Sequence, residues 1–450
     1  MKNKNLICLG SAAVVLCLAS SPINAQENWP QFRGADARGI STNTGLPDAW
    51  SAEKNVAWKT EIPGVGWSSP IIWGDQVIVT TSISDGEIEA PKKGLYFGGE
   101  RGASKDVHHW KVVSVSLKTG KINWETTAHS GAPWGPRHLK NSYASETPVT
   151  DGEHIYAYFG NVGLFCLDMK GAVVWSKEFG IHEMRNGWGT SSSPVLFKDR
   201  IYLVDDNEQQ SFVVALDKKT GKEIWRVDRD EPSNFTTPFI WENEQRTELV
   251  TTGVNRTRSY DLDGNLLWEF SPGMSAIVIP TPFADNGLLY VCAGYVGDNL
   301  RINKPVYAIK PGAHGDISLP DGDTSNEFIV WRQENSAPYN PSPVLYDGRF
   351  YTLWDFGFLS CRNAVTGEEI YEKERVDPKS QVAFTSSPWA YDGKIFCLSE
   401  DGDTYVFAAG DEYKLLHKNA LDEMCMATPA ISGTTLVIRT AQNLYAIRGK

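Results

Sequence analysis

Short apolar runs separated by polar turns recur eight times along the chain. Each recurrence opens with a Ser-Pro or Thr-Pro pair, and most neighbouring pairs stand about 41 to 46 positions apart. That spacing is typical of a four-stranded propeller blade. Two longer gaps fall in polar, Gly-rich stretches, where loops tolerate insertions. The prolines are Pro70, Pro148, Pro194, Pro238, Pro282, Pro343, Pro388 and Pro429.

The third repeat shows the arrangement of strands within one blade. Apolar runs at residues 193–197, 201–204, 212–216 and 223–226 predict four strands. The runs are almost continuously apolar, as expected when both faces of a sheet are covered by its neighbours. Gly221 follows Thr220 in the last hairpin, where the turn requires a positive φ. The pattern predicts an all-β fold.

A tryptophan recurs in the outer strand of the repeats. Tyr371 replaces it in the sixth full repeat and His417 in the seventh. A large flat ring at one place in every blade fills the gap that widens between blades away from the axis. We therefore interpret these rings as packing residues. The tryptophans are Trp124, Trp175, Trp225, Trp268 and Trp331.

The two ends of the chain predict that the ring closes. The last repeat stops after residues 444–447, without a Trp strand, and residues 56–59 around Trp58 supply such a strand at the other terminus. Pairing the two would remove an exposed sheet edge. We predict an eight-bladed β-propeller of four-stranded blades over residues 55–450. Residues 26–54 are predicted to form an N-terminal arm outside the ring.

The first 25 residues have the character of a signal peptide. Lys2 and Lys4 precede an apolar run at residues 6–19, which is short for a membrane span, and Ala25 offers a cleavage position. A lipid anchor on Cys17 is the alternative, but Leu16 before it is large for a lipoprotein signal. No later stretch approaches a membrane span, so we expect a periplasmic or secreted protein without a transmembrane segment.

Charge and cysteine content exclude several classes of function. The formal net charge of −12 opposes binding to nucleic acid. Five cysteines remain after residue 25, none adjacent and none in Cys-x-x-Cys spacing, so neither a disulfide framework nor a metal or redox motif is expected. No catalytic motif with a recognisable spacing is present.

The repeat resembles a known family. Residues 215–225 (ALDKKTGKEIW) are similar to the PQQ-type propeller repeat, which quinoprotein alcohol dehydrogenases share with the outer-membrane assembly factor BamB. The likeness runs from about Asn55 to Arg448. Residues 29–34 (WPQFRG) and 66–70 (GWSSP) are similar to secreted BamB-like propellers.

Two functions follow from this resemblance. The BamB-like branch implies a non-catalytic scaffold of the cell envelope that recognises a protein or peptide partner through loops at one face. The quinoprotein branch implies an oxidoreductase that holds PQQ, usually with calcium, in the central channel. The adjacent cysteines that typically cover the quinone are missing here, as is a haem-attachment motif. We therefore expect binding without a cofactor, and oligomeric state stays open.

The segments that precede each Ser/Thr-Pro pair should gather around one mouth of the channel. There they bring aromatic side chains close to an acid and several bases, a composition suited to recognition. An alternative is that Glu146 and Arg137 simply pair and order a long loop. The candidate binding residues are Trp67, Trp134, Arg137, Asn141, Tyr143, Glu146, Arg185, Asn186, Trp188, Tyr339 and Asn340.

Overall fold

Eight antiparallel sheets form the blades of a propeller in the computed structural model, which describes residues 28–94, 101–272, 274–295 and 304–449. The predicted signal peptide, residues 1–25, lies outside the described residues. Two 3-10 turns, Gly160–Val162 and Arg185–Gly187, are the only helical elements in the described ranges. None of the described residues belongs to a helix long and apolar enough to cross a membrane.

Within each blade the strands are given from the inner to the outer one. Blade 1 consists of Ile71–Trp73, Gln76–Ser84, His108–Ser116 and Ile122–Gly131. Blade 2 consists of Val149–Thr150, His154–Tyr158, Leu164–Asp168 and Val173–Lys177. Blade 3 consists of Val195–Phe197, Arg200–Asp205, Ser211–Asp217 and Glu223–Arg229. Blade 4 consists of Phe239–Glu242, Thr247–Thr251, Thr257–Tyr260 and Leu266–Phe270, with Gly315–Asp316 added in parallel at its outer edge.

The second half of the ring repeats the same order. Blade 5 consists of Phe283–Asp285, Leu288–Cys292, Val306–Ile309 and Ile329–Gln333. Blade 6 consists of Val344–Tyr346, Arg349–Trp354, Phe358–Asn363 and Glu369–Arg375. Blade 7 consists of Trp389–Tyr391, Lys394–Leu398, Asp403–Ala408 and Leu415–Ala420. Blade 8 consists of Ala430–Ser432, Thr435–Arg439, Asn443–Arg448 and, as its outer strand, Val56–Glu61.

The closing strand is confirmed by the outer edge of blade 8. Val56–Glu61 pairs antiparallel with Asn443–Arg448, and Trp58 stands opposite Ala446. The N-terminal strand therefore completes the sheet that the C-terminal residues begin. This pairing leaves no open seam between the first and last blades.

Five of the six outer-strand tryptophans join neighbouring blades, whereas Trp268 donates to Glu248 within its own blade at 2.7 Å. The Trp175 indole, in blade 2, donates a hydrogen bond of 3.2 Å to the Lys218 carbonyl in the outer hairpin of blade 3. Gly221 in that hairpin has a φ of 68°, and a Cβ added there would lie 2.6 Å from the Trp175 ring. Glycine is thus required both by the turn and by the ring that covers it. Trp58, Trp124, Trp225 and Trp331 make the equivalent hydrogen bond.

The N-terminal arm does not lie outside the ring. The Trp29 backbone exchanges two hydrogen bonds of 2.8 Å with Ile72, in the inner strand of blade 1, and the Trp29 side chain is 1% exposed. Burial of this large ring, together with the backbone pairing, holds the arm against the inner strands. Further along, the arm contacts Thr150 of blade 2, Asp285 of blade 5, Pro343 of blade 6, Ala390 of blade 7 and Gly433 of blade 8. Residues 29–43 therefore extend across the end of the channel.

Candidate functional site

A closed ring of hydroxyl groups surrounds the channel. The Ser or Thr before each repeat proline contributes one, and the set is called here the hydroxyl belt: Ser69, Thr147, Ser193, Thr237, Thr281, Ser342, Ser387 and Thr428. Within the described residues, seven of the eight accept the backbone N–H of the equivalent residue in the preceding blade, at 2.9–3.2 Å. Thr281 is the exception. The belt explains why the repeat requires Ser or Thr at this position.

A cavity of about 560 Å³ lies inside the belt. It opens at the face where the outer strand of each blade connects to the inner strand of the next blade. Phe32 of the arm lines this cavity and also a second, smaller pocket between the arm and the inner strands of blades 3–5. Phe32 therefore lies at the floor, and the arm turns the channel into a cup. Aromatic side chains line the cup: Trp67, Trp188, Phe235, Tyr295, Tyr339 and Phe356.

A buried carboxylate fixes part of this aromatic wall. The backbone N–H groups of Tyr339 and Asn340 donate to the two carboxylate oxygens of Asp355, at 2.7 and 2.8 Å. Asp355 is fully buried, and loss of hydration raises the pKa of its carboxyl to about 6. The Tyr339 and Tyr295 rings pack with their centroids 5.0 Å apart. This contact orients the two rings beside the cup.

The long insertion before blade 2 reaches across to blade 7. Lys140 lines the cup, and its ammonium lies 2.5 Å from the carboxylate of Glu400, which also accepts the Thr385 hydroxyl at 2.7 Å. The loop is anchored on its other side by Asn141, whose amide donates to the Trp188 carbonyl at 2.8 Å. These contacts give the rim of the cup a defined shape.

Glu146 is buried between blades and does not line the cup. Its carboxylate accepts the Thr190 hydroxyl at 2.5 Å, and burial raises the pKa of the Glu146 carboxyl to about 7. Arg137 instead donates to the Asn141 carbonyl at 2.8 Å and lies over the Tyr143 ring. Within the described residues, Glu146 and Arg137 therefore do not pair with each other, and each contacts different residues.

The structure brings five of the eleven candidate residues together in the lining of the cup: Trp67, Asn141, Trp188, Tyr339 and Asn340. Trp67 and Trp188 are buried in its wall. Of the other six, Trp134 is 63% exposed on the same face, and Asn186 is exposed at a positive φ of 52°. Arg185 donates to the Ala276 carbonyl at 3.0 Å, and the Tyr143 hydroxyl donates to the Gly135 carbonyl at 2.9 Å.

Sequence reasoning missed several lining residues. Phe235 stands two positions before Thr237 in the same kind of connection as Trp67, so its spacing from the repeat proline could have revealed it. Phe356 lies in the hairpin loop of blade 6 between its second and third strands. This loop is not one of the segments that precede a Ser/Thr-Pro pair, from which the candidate residues come. Phe32 carries no such signal, because the arm lies outside the repeats.

The donor set of the cup does not fit PQQ with calcium. Calcium takes mainly carboxylate and carbonyl oxygen ligands, and none of the described lining residues is an Asp or Glu. The lining carries one permanently charged side chain, Lys140, and Glu400 already neutralises it. A cluster of Asp151, Glu153 and His154 meets the distance requirement for a metal site, but it lies in a hairpin turn of blade 2, where Asp151 pairs with Lys218 at 2.8 Å.

Sequence comparison with known proteins finds similarity to the BamB family. The family described as "Outer membrane protein assembly factor BamB" matches residues 108–240 and 209–303. The BamB of Yersinia pestis is 25% identical over 210 residues, 41% of this chain and 49% of that protein. The match therefore spans about half the length of this relative.

Solved structures show the fold. BamB from Moraxella catarrhalis superimposes with a TM-score of 0.52 at 14% identity, covering 82% of this chain and 98% of that chain. A europium-containing methanol dehydrogenase superimposes with a TM-score of 0.60 at 10% identity, covering 94% and 99%. The fold is thus shared by an outer membrane protein assembly factor and a methanol dehydrogenase, so the fold alone does not determine the function.

Proposed function

We propose that this chain, a PQQ-like β-propeller similar in sequence to BamB, is a binding scaffold of the cell envelope. It takes a protein or peptide partner at the face where the cup opens. The envelope location rests on the apolar N-terminal sequence and on the likeness to an outer membrane assembly factor.

The exposed aromatic side chains carry this proposal. Among the described residues, the exposed large aromatics are Trp134, 63% exposed, and Phe356, 48% exposed. Both belong to loops on the face that carries the mouth of the cup. Exposed aromatics that a scaffold holds in place are typical anchors of protein interfaces.

The quinoprotein alternative has weaker support. The dehydrogenase likeness is a likeness of fold at 10% identity. A cup without lining carboxylates offers calcium no charged ligand, and its single ammonium is already paired. We therefore assign this chain no catalytic residue and no cofactor.

Photocrosslinking tests the proposal in cells of the source organism. A photoreactive phenylalanine at Trp134 or Phe356 should capture one defined partner. The same residue at Lys198, in a hairpin on the opposite face, should not capture it. The Trp134→Ala and Phe356→Ala double variant should bind that partner more weakly than the wild type.

Two outcomes would contradict the scaffold. Equal capture at Lys198 would remove the loop face from the interaction. A visible absorption band and alcohol oxidation after reconstitution with PQQ and calcium would favour the quinoprotein function instead.

A further inference from the structure

The cup presents hydrogen-bond donors that the protein itself does not use. A hydroxyl group can accept and donate at once, and within the described residues none of the eight belt hydroxyls donates its proton to a protein acceptor. The Trp67 indole nitrogen is different: it has no acceptor among the described residues, but it is buried and offers no donor to the cup. Because unpaired donors are costly when water is displaced, an occupant must bring acceptor atoms.

The described lining of the cup offers no unpaired, permanently charged side chain to an ionic occupant. Lys140 is held by Glu400 at 2.5 Å, and no Asp or Glu is found among the described lining residues. A carboxylate or phosphate entering the cup would lose hydration without gaining a counter-charge. A cation would meet no carboxylate in the lining either. The donors therefore select a neutral molecule that is rich in oxygen.

The aromatic side chains that line the cup favour an occupant that also has apolar surface. Trp67, Trp188 and Tyr339 present ring surfaces around the cup, and Phe32 lies at its floor. Apolar C–H groups pack favourably on such rings. A purely hydrophobic molecule would satisfy the rings but leave the belt donors unpaired. The occupant must thus combine C–H faces with many oxygen atoms.

We infer that the cup binds a neutral saccharide unit. A pyranose has hydroxyl and ether oxygens around its edge and C–H groups on its faces, which matches the belt and the rings respectively. The volume of about 560 Å³ lies within the range of small-molecule sites, about 300–1,000 Å³. Phe356 lines this site and is also one of the two docking anchors proposed above, whereas Trp134 lies outside the lining; the saccharide inference does not rest on partner docking.

Two conservative variants separate the sugar site from the stability of the ring. Thr281 is the belt residue whose hydroxyl accepts no amide, so Thr281→Val removes a donor from the cup and keeps the seven belt hydrogen bonds. Trp67→Phe keeps an aromatic ring but reduces the ring surface that lines the cup. Thr434→Val, in an exposed hairpin of blade 8, is the matched control.

Binding is measured by isothermal titration calorimetry on the purified full chain. The neutral probes are glucose, galactose, mannose and N-acetylglucosamine with their disaccharides, and the anionic probes are glucuronic and galacturonic acids. At least one neutral sugar should bind at millimolar concentration or below, more tightly than its anionic counterpart and independently of salt. Thr281→Val and Trp67→Phe should each weaken that binding about threefold to tenfold, and Thr434→Val should leave it unchanged.

Three results would overturn the inference. The first is that no neutral probe binds. The second is that an anionic sugar binds as tightly as its neutral counterpart or more tightly. The third is that sugar binding is the same in Thr281→Val and Trp67→Phe as in the wild type.

Discussion

The indole nitrogen of Trp58 donates a hydrogen bond of 2.8 Å to the carbonyl oxygen of Leu117. Trp58 belongs to the outer strand of blade 8, where it stands opposite Ala446, and Leu117 begins the outer hairpin of blade 1. A single side chain near the N-terminus therefore contacts the next blade, while its backbone completes the sheet of the C-terminal strands. The ring is closed by both contacts at once.

Truncating Trp58 should destabilise the whole propeller. Trp58→Ala removes a large buried ring and the hydrogen bond to Leu117, so the free energy of unfolding should fall by about 3–5 kcal/mol. Chemical denaturation followed by far-UV circular dichroism measures this change. Trp134→Ala is the control, and because Trp134 is mostly exposed its effect should stay within about 0.5 kcal/mol. Equal effects of the two substitutions would contradict the closing role of Trp58.

The hydroxyl belt predicts different effects for two threonines that occupy equivalent positions. Thr147→Val leaves the buried amide of Ser69 without its acceptor, which is 3.0 Å away in the wild type. The free energy of unfolding should therefore fall by about 1–3 kcal/mol. Thr281→Val removes no belt hydrogen bond and should be close to neutral. Denaturation of both variants by urea checks this, and the idea fails if Thr281→Val is as destabilised as Thr147→Val.

The repeat and its closure could be predicted from sequence because each blade repeats one set of packing demands. Ser/Thr-Pro, the apolar runs and the outer tryptophan recur in register, so each occurrence supports the others. The arm has no such support. Trp29 pairs with blade 1 and later arm residues contact other blades, each contact occurring once. Nothing periodic marks residues 29–43, so their place across the channel could not be inferred.

The candidate site was predicted only in part, because spacing locates a backbone position but not the direction of its side chain. Trp67 and Tyr339 stand shortly before a repeat proline, and their side chains line the cup. Glu146 is adjacent to belt residue Thr147, yet its side chain is buried between blades and contacts Thr190. Adjacent residues of an extended segment point to opposite sides, and the sequence interpretation treated both sides as the mouth.

The arm should contribute as much to stability as the closing strand does. Trp29 is 1% exposed and packs in the same core as Trp58 and Val77. Trp29→Ala should therefore lower the free energy of unfolding by about 3–5 kcal/mol. Arg38→Ala, a change in the same arm at a partly exposed ion pair with Asp285, should cost less than about 1 kcal/mol. Thermal and urea denaturation measure both, and an unaffected Trp29→Ala would mean that the arm is dispensable.

Burial of Glu146 should make the stability of the protein depend on pH. The folded state raises the pKa of its carboxyl from an ordinary value of 4.5 to about 7, through loss of hydration. Between these two values the folded chain keeps a proton that the unfolded chain has lost. The free energy of unfolding should therefore fall as pH rises from about 4.5 to about 7, by an amount on the order of 3 kcal/mol.

Glu146→Gln removes this ionisation and keeps an oxygen that can accept the Thr190 hydroxyl. Urea denaturation of the variant and the wild type should give similar stability at pH 5, where the wild-type carboxyl is protonated in the folded state. At pH 8 the variant should be the more stable, because the wild type then carries a buried charge. Asp355, whose pKa is also raised by burial, to about 6, remains in both proteins and cancels in the comparison. Glu244→Gln, at an exposed turn, should show no such difference between the two pH values. The prediction is wrong if the stability difference between Glu146→Gln and the wild type is the same at pH 8 as at pH 5. Such a result would mean that burial does not penalise the charged Glu146 carboxylate.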